Sequence, residues 1–288
     1  MTEIHPSAAV HRDAELGDGV AIGPYCVIGS GASIGSGTVL DAGVVIEKNV
    51  KIGKNNRFFP NSVIGAWPQV LGLTEESGIG GLVIGDGNVL REYVTVHSSM
   101  HRDRVTRIGN ENLLMVGAHV GHDCTLEDKI VISNSVQFSG HCKIEMGAWL
   151  SGMVGLHQFI TLGKWSFVAG LAGLNKDVPP FLTVSGHYPP MVRGVNKRGM
   201  QRAGLNEEQQ ERIFEAYRRL YRQGGTLLEN AQTLAQEDGI DENVKAIIDS
   251  IIRSNTHQFG RYLETLREEK VRNTKHEIRN NIKDRMVK

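Results

Sequence analysis

The chain has 288 residues, 22% of them charged and 40% apolar, an ordinary balance for a globular protein. Its 32 basic and 32 acidic residues give a formal net charge of zero, so a dominant nucleic-acid role has no electrostatic support. No apolar run approaches a membrane span, the opening MTEIHPSAAV has neither region of a signal peptide, and Cys26, Cys124 and Cys142 lack zinc spacing, so reduced thiols in a cytoplasmic chain are expected.

From residue 10 an aliphatic or aromatic marker recurs every sixth position: Val10, Leu16, Ile22, Ile28, Ile34, Leu40, Ile46, Ile52, Phe58 and Ile64. A period of six matches neither a helical stripe nor simple strand alternation. It fits a triangular coil in which each hexad supplies a short strand and a turn, and three hexads close a rung. The core then comes from stacking rungs, as in repeat proteins generally. Residues 66–82 (AWPQVLGLTEESGIGGL) abandon the period. A long Gly-rich segment ejected from so regular a scaffold is more readily a binding or catalytic loop than a tolerated insertion. The beat returns at Ile84, Leu90 and Val96, breaks again over 97–107 (HSSMHRDRVTR), and runs from Ile108 to Leu174. The 25 markers predict about eight rungs or a few more, spaced by roughly 4.8 Å.

The second run carries a cluster of histidines. In steps of 18, His122, Gly140 and Gln158 occupy equivalent places on successive rungs, flanked by His141 and His157. One such histidine alone reads as a polar corner residue; the stacked set predicts a site on one edge of the prism. His97 and His119 lie nearby in sequence. A histidine there suits general-base or metal-ligand chemistry, Asp123 could orient its imidazole, and the Gly140 N–H could face an oxyanion. That is the equipment for acyl transfer to a hydroxyl. Cys124 and Cys142, also 18 apart, are predicted to stack as free thiols.

A proline-rich connector (Pro179, Pro180, Pro189, Pro190) precedes helical periodicity. Asn206 is a predicted N-cap, with Ile213, Ala216, Tyr217, Leu220 and Tyr221 forming an apolar stripe and Gly224-Gly225 a stop. Further helices are predicted over Leu227–Gln236 and after Asp241. The tail 261–288 carries nine Lys/Arg against five Asp/Glu and reads as a solvated helix or frayed end. Two regions follow: 1–190, a β-helical catalytic domain with loops at 66–82 and 97–107, and 191–288, an α-helical domain with a basic tail.

The stretch GNENLLMVGAHVGHDCTLEDK, with SGH at 139–141, GMVGLHQF at 152–159 and KDVPPF at 176–181 running to GVN at 194–196, resembles the UDP-N-acetylglucosamine O-acyltransferases of lipid A synthesis. The similarity runs from the first hexads to about residue 260. It implies a left-handed parallel β-helix followed by a small helical domain, in a cytoplasmic homotrimer with active sites between subunits. The implied reaction moves a 3-hydroxyacyl chain from the phosphopantetheine arm of acyl carrier protein to the 3-hydroxyl of the nucleotide sugar, with no further cofactor, no resident metal and no stable membrane insertion. His122 would be the general base, Asp123 its support and Gly140 the oxyanion donor. His119, His141, His157 and Gln158 would contact substrate, as would Gln69 in the first loop. Gly170 would limit acyl length, and Asn196 and Arg202 would hold the nucleotide end, Arg202 reaching a neighbouring subunit.

The chain also departs from the family pattern. Val70-Leu71-Gly72 stands where Asp-Leu-Lys is usual, Ala203 replaces a second arginine, and Arg198 replaces an acidic residue. Such changes open the acyl chain or sugar to alteration. Three other readings stay open: a zinc-dependent trimeric β-helical enzyme like carbonic anhydrase, the related N-acyltransferase, and a non-catalytic scaffold.

Overall fold

A computed structural model describes residues 2–265 and 267. Its first part is a left-handed parallel β-helix. Among the described residues twenty-eight strands, most of two residues, form three sheets of eleven, nine and eight strands. The smallest sheet has eight strands, so eight rungs close on all three sides.

The markers fill the prism. Ile28, Ile34, Leu40, Ile46, Phe58, Ile64, Leu90, Ile108 and Phe138 are fully buried, each such burial contributing about 1.5–3 kcal/mol. Two places before each marker a second residue turns the corner, most often a small one. Cys26, Cys124 and Cys142 are three of these, and Cys124 and Cys142 both point their Sγ at the Ser139 carbonyl, 3.3 Å away. At one corner of the three rungs around the interruptions, this position is asparagine. Asn56 Oδ1 accepts from the Asn88 backbone N–H, Asn88 Oδ1 from that of Asn112, and Asn112 Oδ1 from that of Ile130. Each amide takes up a buried donor of the next rung, so the coil stays in register across both breaks.

Pairing absorbs both interruptions: Val63 pairs with Thr95, Thr95 with His119, and His119 with Gln137. The first loop leaves the second sheet after Val63–Ala66 and rejoins the third at Gly81–Ile84; the second leaves after Thr95–His97 and rejoins at Val105–Ile108. Both emerge from one edge of the prism. They lie so close that a Cβ on Gly80 would meet the Arg104 and His101 carbonyl oxygens at 2.0 and 2.2 Å, so only glycine fits.

The strand ladder ends in Leu182–Ser185 and its antiparallel partner Met191–Val195. Among the described residues four α-helices follow: α1 (Lys197–Arg202), α2 (Glu207–Tyr221), α3 (Leu227–Leu234) and α4 (Glu242–Ser254). Asn206 caps α2 in a reciprocal pair with Gln209, Thr226 and Glu229 do the same for α3, and Asp241 caps α4. Ile213, Leu220, Leu234, Val244, Ile247 and Ile251 pack with Phe181 and Met200 in a second core. Asp177, Arg261 and Glu264 tie the end of the helical region to the coil: the Tyr262 N–H donates to Asp177, and Arg261 bonds both Glu264 and the Asn175 carbonyl. Beyond residue 267 the predicted basic tail lies outside the described residues.

Candidate active site

The edge that ejects both loops also carries the histidine column. His122-Asp123, Gly140-His141 and Gln158-Phe159 each turn from a strand of the second sheet to one of the third, on successive rungs. Asp123, His141 and Phe159 hold the left-handed backbone region, with φ of 59°, 63° and 67°. Earlier rungs fill the same place with Gly31 and Asn49, residues that tolerate it better. The left-handed corner recurs around the coil, with Tyr25, Tyr93, Met153, Trp165 and Leu171 at other edges, and on the site rungs it displays an acid, an imidazole and a phenyl ring.

The Nδ1–H of His122 donates to Asp123 Oδ2 at 2.8 Å, with both side chains under a tenth exposed. This bond fixes the tautomer and leaves the Nε2 lone pair free to accept a proton. The second loop supplies the remaining ligands of the carboxylate: the Ser99 hydroxyl donates to Oδ1 at 2.5 Å and the Met100 N–H to Oδ2 at 3.2 Å. The Asp123 N–H is held by Thr106 Oγ1. Burial works to raise the Asp123 carboxyl, but the bonds from His122 and Ser99, the nearby His141 and the Met100 N–H hold it well below the usual carboxylate range. It is therefore a permanent anion able to stabilise an imidazolium.

Gly140 lies under the His122 ring. A Cβ there would come within 2.5 Å of His122 Cε1 and 2.6 Å of Nε2. Among the described residues the Gly140 N–H donates to no protein acceptor. The His141 ring meets His122 edge-on at 5.1 Å and stacks on Phe159 at 4.6 Å. His119 bonds Thr95 and faces His97, whose Nδ1–H donates to the Trp67 carbonyl of the first loop at 2.6 Å. Burial, with His97 and His122 nearby, pushes His119 down to about 4, and burial likewise lowers His97. Both are neutral near pH 7. His157 is exposed, with Nδ1 near the Gln158 carbonyl, while the Gln158 side chain accepts from Arg267.

The remaining sequence-selected residues lie elsewhere in this chain. Gln69 is exposed on the first loop. Gly170 is exposed on a different edge, between the first and second sheets. Asn196 caps α1, and with Arg198 and Arg202 it lines an open cavity of about 740 Å³ walled by Trp149 and Phe167. The Arg202 guanidinium packs over the Trp149 and Trp165 rings of its own coil and donates to the Gly147 carbonyl. Sequence reasoning missed Ser99, Met100 and Thr106 as the holders of Asp123, and Phe159 as the support of His141. Their one signal was position, since Ser99, Met100 and Thr106 all lie in the segment that breaks the hexad period.

A family model described as UDP-N-acetylglucosamine O-acyltransferase, domain 2, matches residues 177–259, and one for bacterial transferase hexapeptides matches residues 31–66. The chain is 44% identical over 179 residues to an acyl-[acyl-carrier-protein]--UDP-N-acetylglucosamine O-acyltransferase of Gloeothece citriformis, a match spanning 62% of this chain and 64% of that protein. It is 41% identical over 255 residues to the protein of the same name from Halorhodospira halophila, covering 88% of this chain and 98% of the relative. Its fold superposes on the solved UDP-N-acetylglucosamine acyltransferase of Francisella novicida with a TM-score of 0.83, at 37% identity and 89% and 92% coverage of the two chains.

Proposed function

This chain belongs to the UDP-N-acetylglucosamine O-acyltransferase family, and on that premise we propose that it moves an acyl chain from acyl carrier protein to the sugar hydroxyl of UDP-N-acetylglucosamine, opening lipid A synthesis. The observation that carries this reading is the His122–Asp123 pair set over the Gly140 amide. In the proposed step, His122 Nε2 takes the proton of the sugar 3-hydroxyl as its oxygen attacks the thioester carbonyl. Asp123 stabilises the imidazolium that forms. The carbonyl becomes an oxyanion that accepts from the Gly140 N–H. Collapse breaks the carbon–sulfur bond, and the departing phosphopantetheine thiolate takes the proton back from His122. No covalent enzyme intermediate is required, and the donor carries its own phosphopantetheine.

His119, His141, His157, Gln158 and Gln69 line the approach to this pair in our reading, and Gly170 limits the acyl chain. Asn196 and Arg202 receive the nucleotide end. One chain holds these groups on separate edges, which supports assembly into a homotrimer with sites between subunits. Among the described residues no helix is long and apolar enough to cross a membrane, in keeping with a cytoplasmic enzyme fed by acyl carrier protein.

The test is acyl transfer from a panel of acyl carrier protein thioesters to UDP-N-acetylglucosamine. Wild type forms acylated nucleotide sugar, and His122→Ala lowers kcat by about 10²–10⁴-fold, the range for removal of a general base. Equal rates in the two proteins would sink the mechanism. The panel also reads out which acyl chain is accepted by a protein with Val70 and Gly72 in its first loop.

A further inference from the structure

The second ejected loop brings to the site a residue that the transfer reaction does not use. His101 packs its ring 6.0 Å from that of His141, and its backbone carbonyl and N–H bond the Ser99 hydroxyl. One ligand-capable atom each from His101, Asp123 and His141 lies within 4.8 Å of the other two. We propose that these three side chains form a binding site for a divalent transition-metal ion of the zinc class, and that the bound ion inhibits acyl transfer.

The donor set suits such an ion. Two imidazoles and a carboxylate, with a fourth position left to water, are ligands that zinc accepts in tetrahedral geometry. At metal–ligand distances of about 2.0–2.2 Å the ligand atoms must approach to roughly 3.3 Å. They must therefore close further than they stand, and His101, on a loop rather than a rung, is the member placed to move. His141 is held by its stack on Phe159. Asp123 has capacity for a metal. Its two oxygens offer about four lone pairs; His122 and Met100 use two on Oδ2 and Ser99 one on Oδ1, which leaves one on Oδ1.

Inhibition follows from charge. General-base catalysis requires His122 to become a cation, stabilised by Asp123. A dication on the same carboxylate neutralises that stabilisation and repels the imidazolium. Metal binding itself does not depend on the proposed reaction, whereas the inhibitory consequence rests on it.

The experiment uses the full chain, freed of metal by chelation, titrated with zinc chloride by calorimetry, and in parallel assayed for acyl transfer over the same zinc range. Wild type is expected to bind one zinc per chain and to lose activity as that site fills. His101→Leu should keep its activity without zinc, bind at least tenfold more weakly, and need at least tenfold more zinc for inhibition. A wild type that binds no zinc, or equal affinity in both proteins, overturns the site. Binding without inhibition overturns the regulatory role alone. If no acyl transfer is found in either protein, calorimetry still decides the site. Circular dichroism checks that the variant is folded, and His101→Asn replaces it if it is not.

Discussion

At His122 the imidazole is fixed on two sides, by the Asp123 carboxylate at Nδ1 and by the Gly140 backbone beneath the ring. The second contact makes Gly140 a residue whose side chain must be absent. A methyl group at 140 would overlap the ring, and the ring, not the rung, is the part free to move. Gly140→Ala is therefore expected to fold and to lose about 100-fold in kcat/KM, the scale of a 1 Å misplacement. Steady-state kinetics beside a thermal melt check this, and an unchanged kcat/KM in a folded variant would remove the argument. His119 shows the opposite use of burial: desolvation keeps it neutral near pH 7, suited to hydrogen bonding rather than to bearing charge.

Among elements, the second loop has the most specific task. Its Ser99 hydroxyl and Met100 N–H complete the shell of Asp123 from the adjacent rung, 24 and 23 residues away in sequence, a separation that the 18-residue step does not give. Ser99→Ala removes one donor from a carboxylate already bonded by others. We expect kcat to fall about tenfold with KM within about twofold, because a hydrogen bond to a charged group contributes roughly 1.5–3 kcal/mol and part of it is recovered by the remaining donors. An equal rise in KM would instead place Ser99 in substrate binding. The first loop is tied to the same edge more lightly, through the bond from His97 to the Trp67 carbonyl and through pairing of Gly80 and Gly81 with Ser99. Its apolar tip, with Leu71 fully exposed, stands clear of the coil.

For the molecule as a whole, the junction between coil and helices sets a pH dependence. Burial raises Asp177 to about 6, although it accepts bonds from the Thr161 and Tyr262 N–H groups and the Ser254 hydroxyl. A raised folded-state value means that stability from this group is fully present below the unfolded value near 4 and is lost as pH rises through 6. The stability advantage of wild type over Asp177→Ala should therefore narrow by on the order of 2–3 kcal/mol between pH 4 and pH 7. Urea unfolding across that range is the measurement, and a widening gap would contradict the assignment. His119 and Asp123, both depressed, act in the opposite sense. His119 stabilises above about 6.5 and loses that contribution as pH falls toward 4, and Asp123 loses its own only in stronger acid.

The hexad markers determined the coil, because a rung buries its apolar residue only when three hexads close and stack. The same period placed His122, Gly140 and Gln158 on one edge, since neighbours across a parallel ladder are fixed in sequence distance. The helix starts at Asn206 and Asp241 were likewise legible, as caps answer a local need for backbone donors. What the period could not give is what happens where it fails. That both interruptions leave the same edge, that Ser99 reaches Asp123, and that His101 comes to rest beside His141 depend on loop paths set by packing rather than by repeat. The separation of Gly170, Asn196 and Arg202 from the histidine column was decided at that level too, because residues on different edges of a rigid prism cannot meet within one chain.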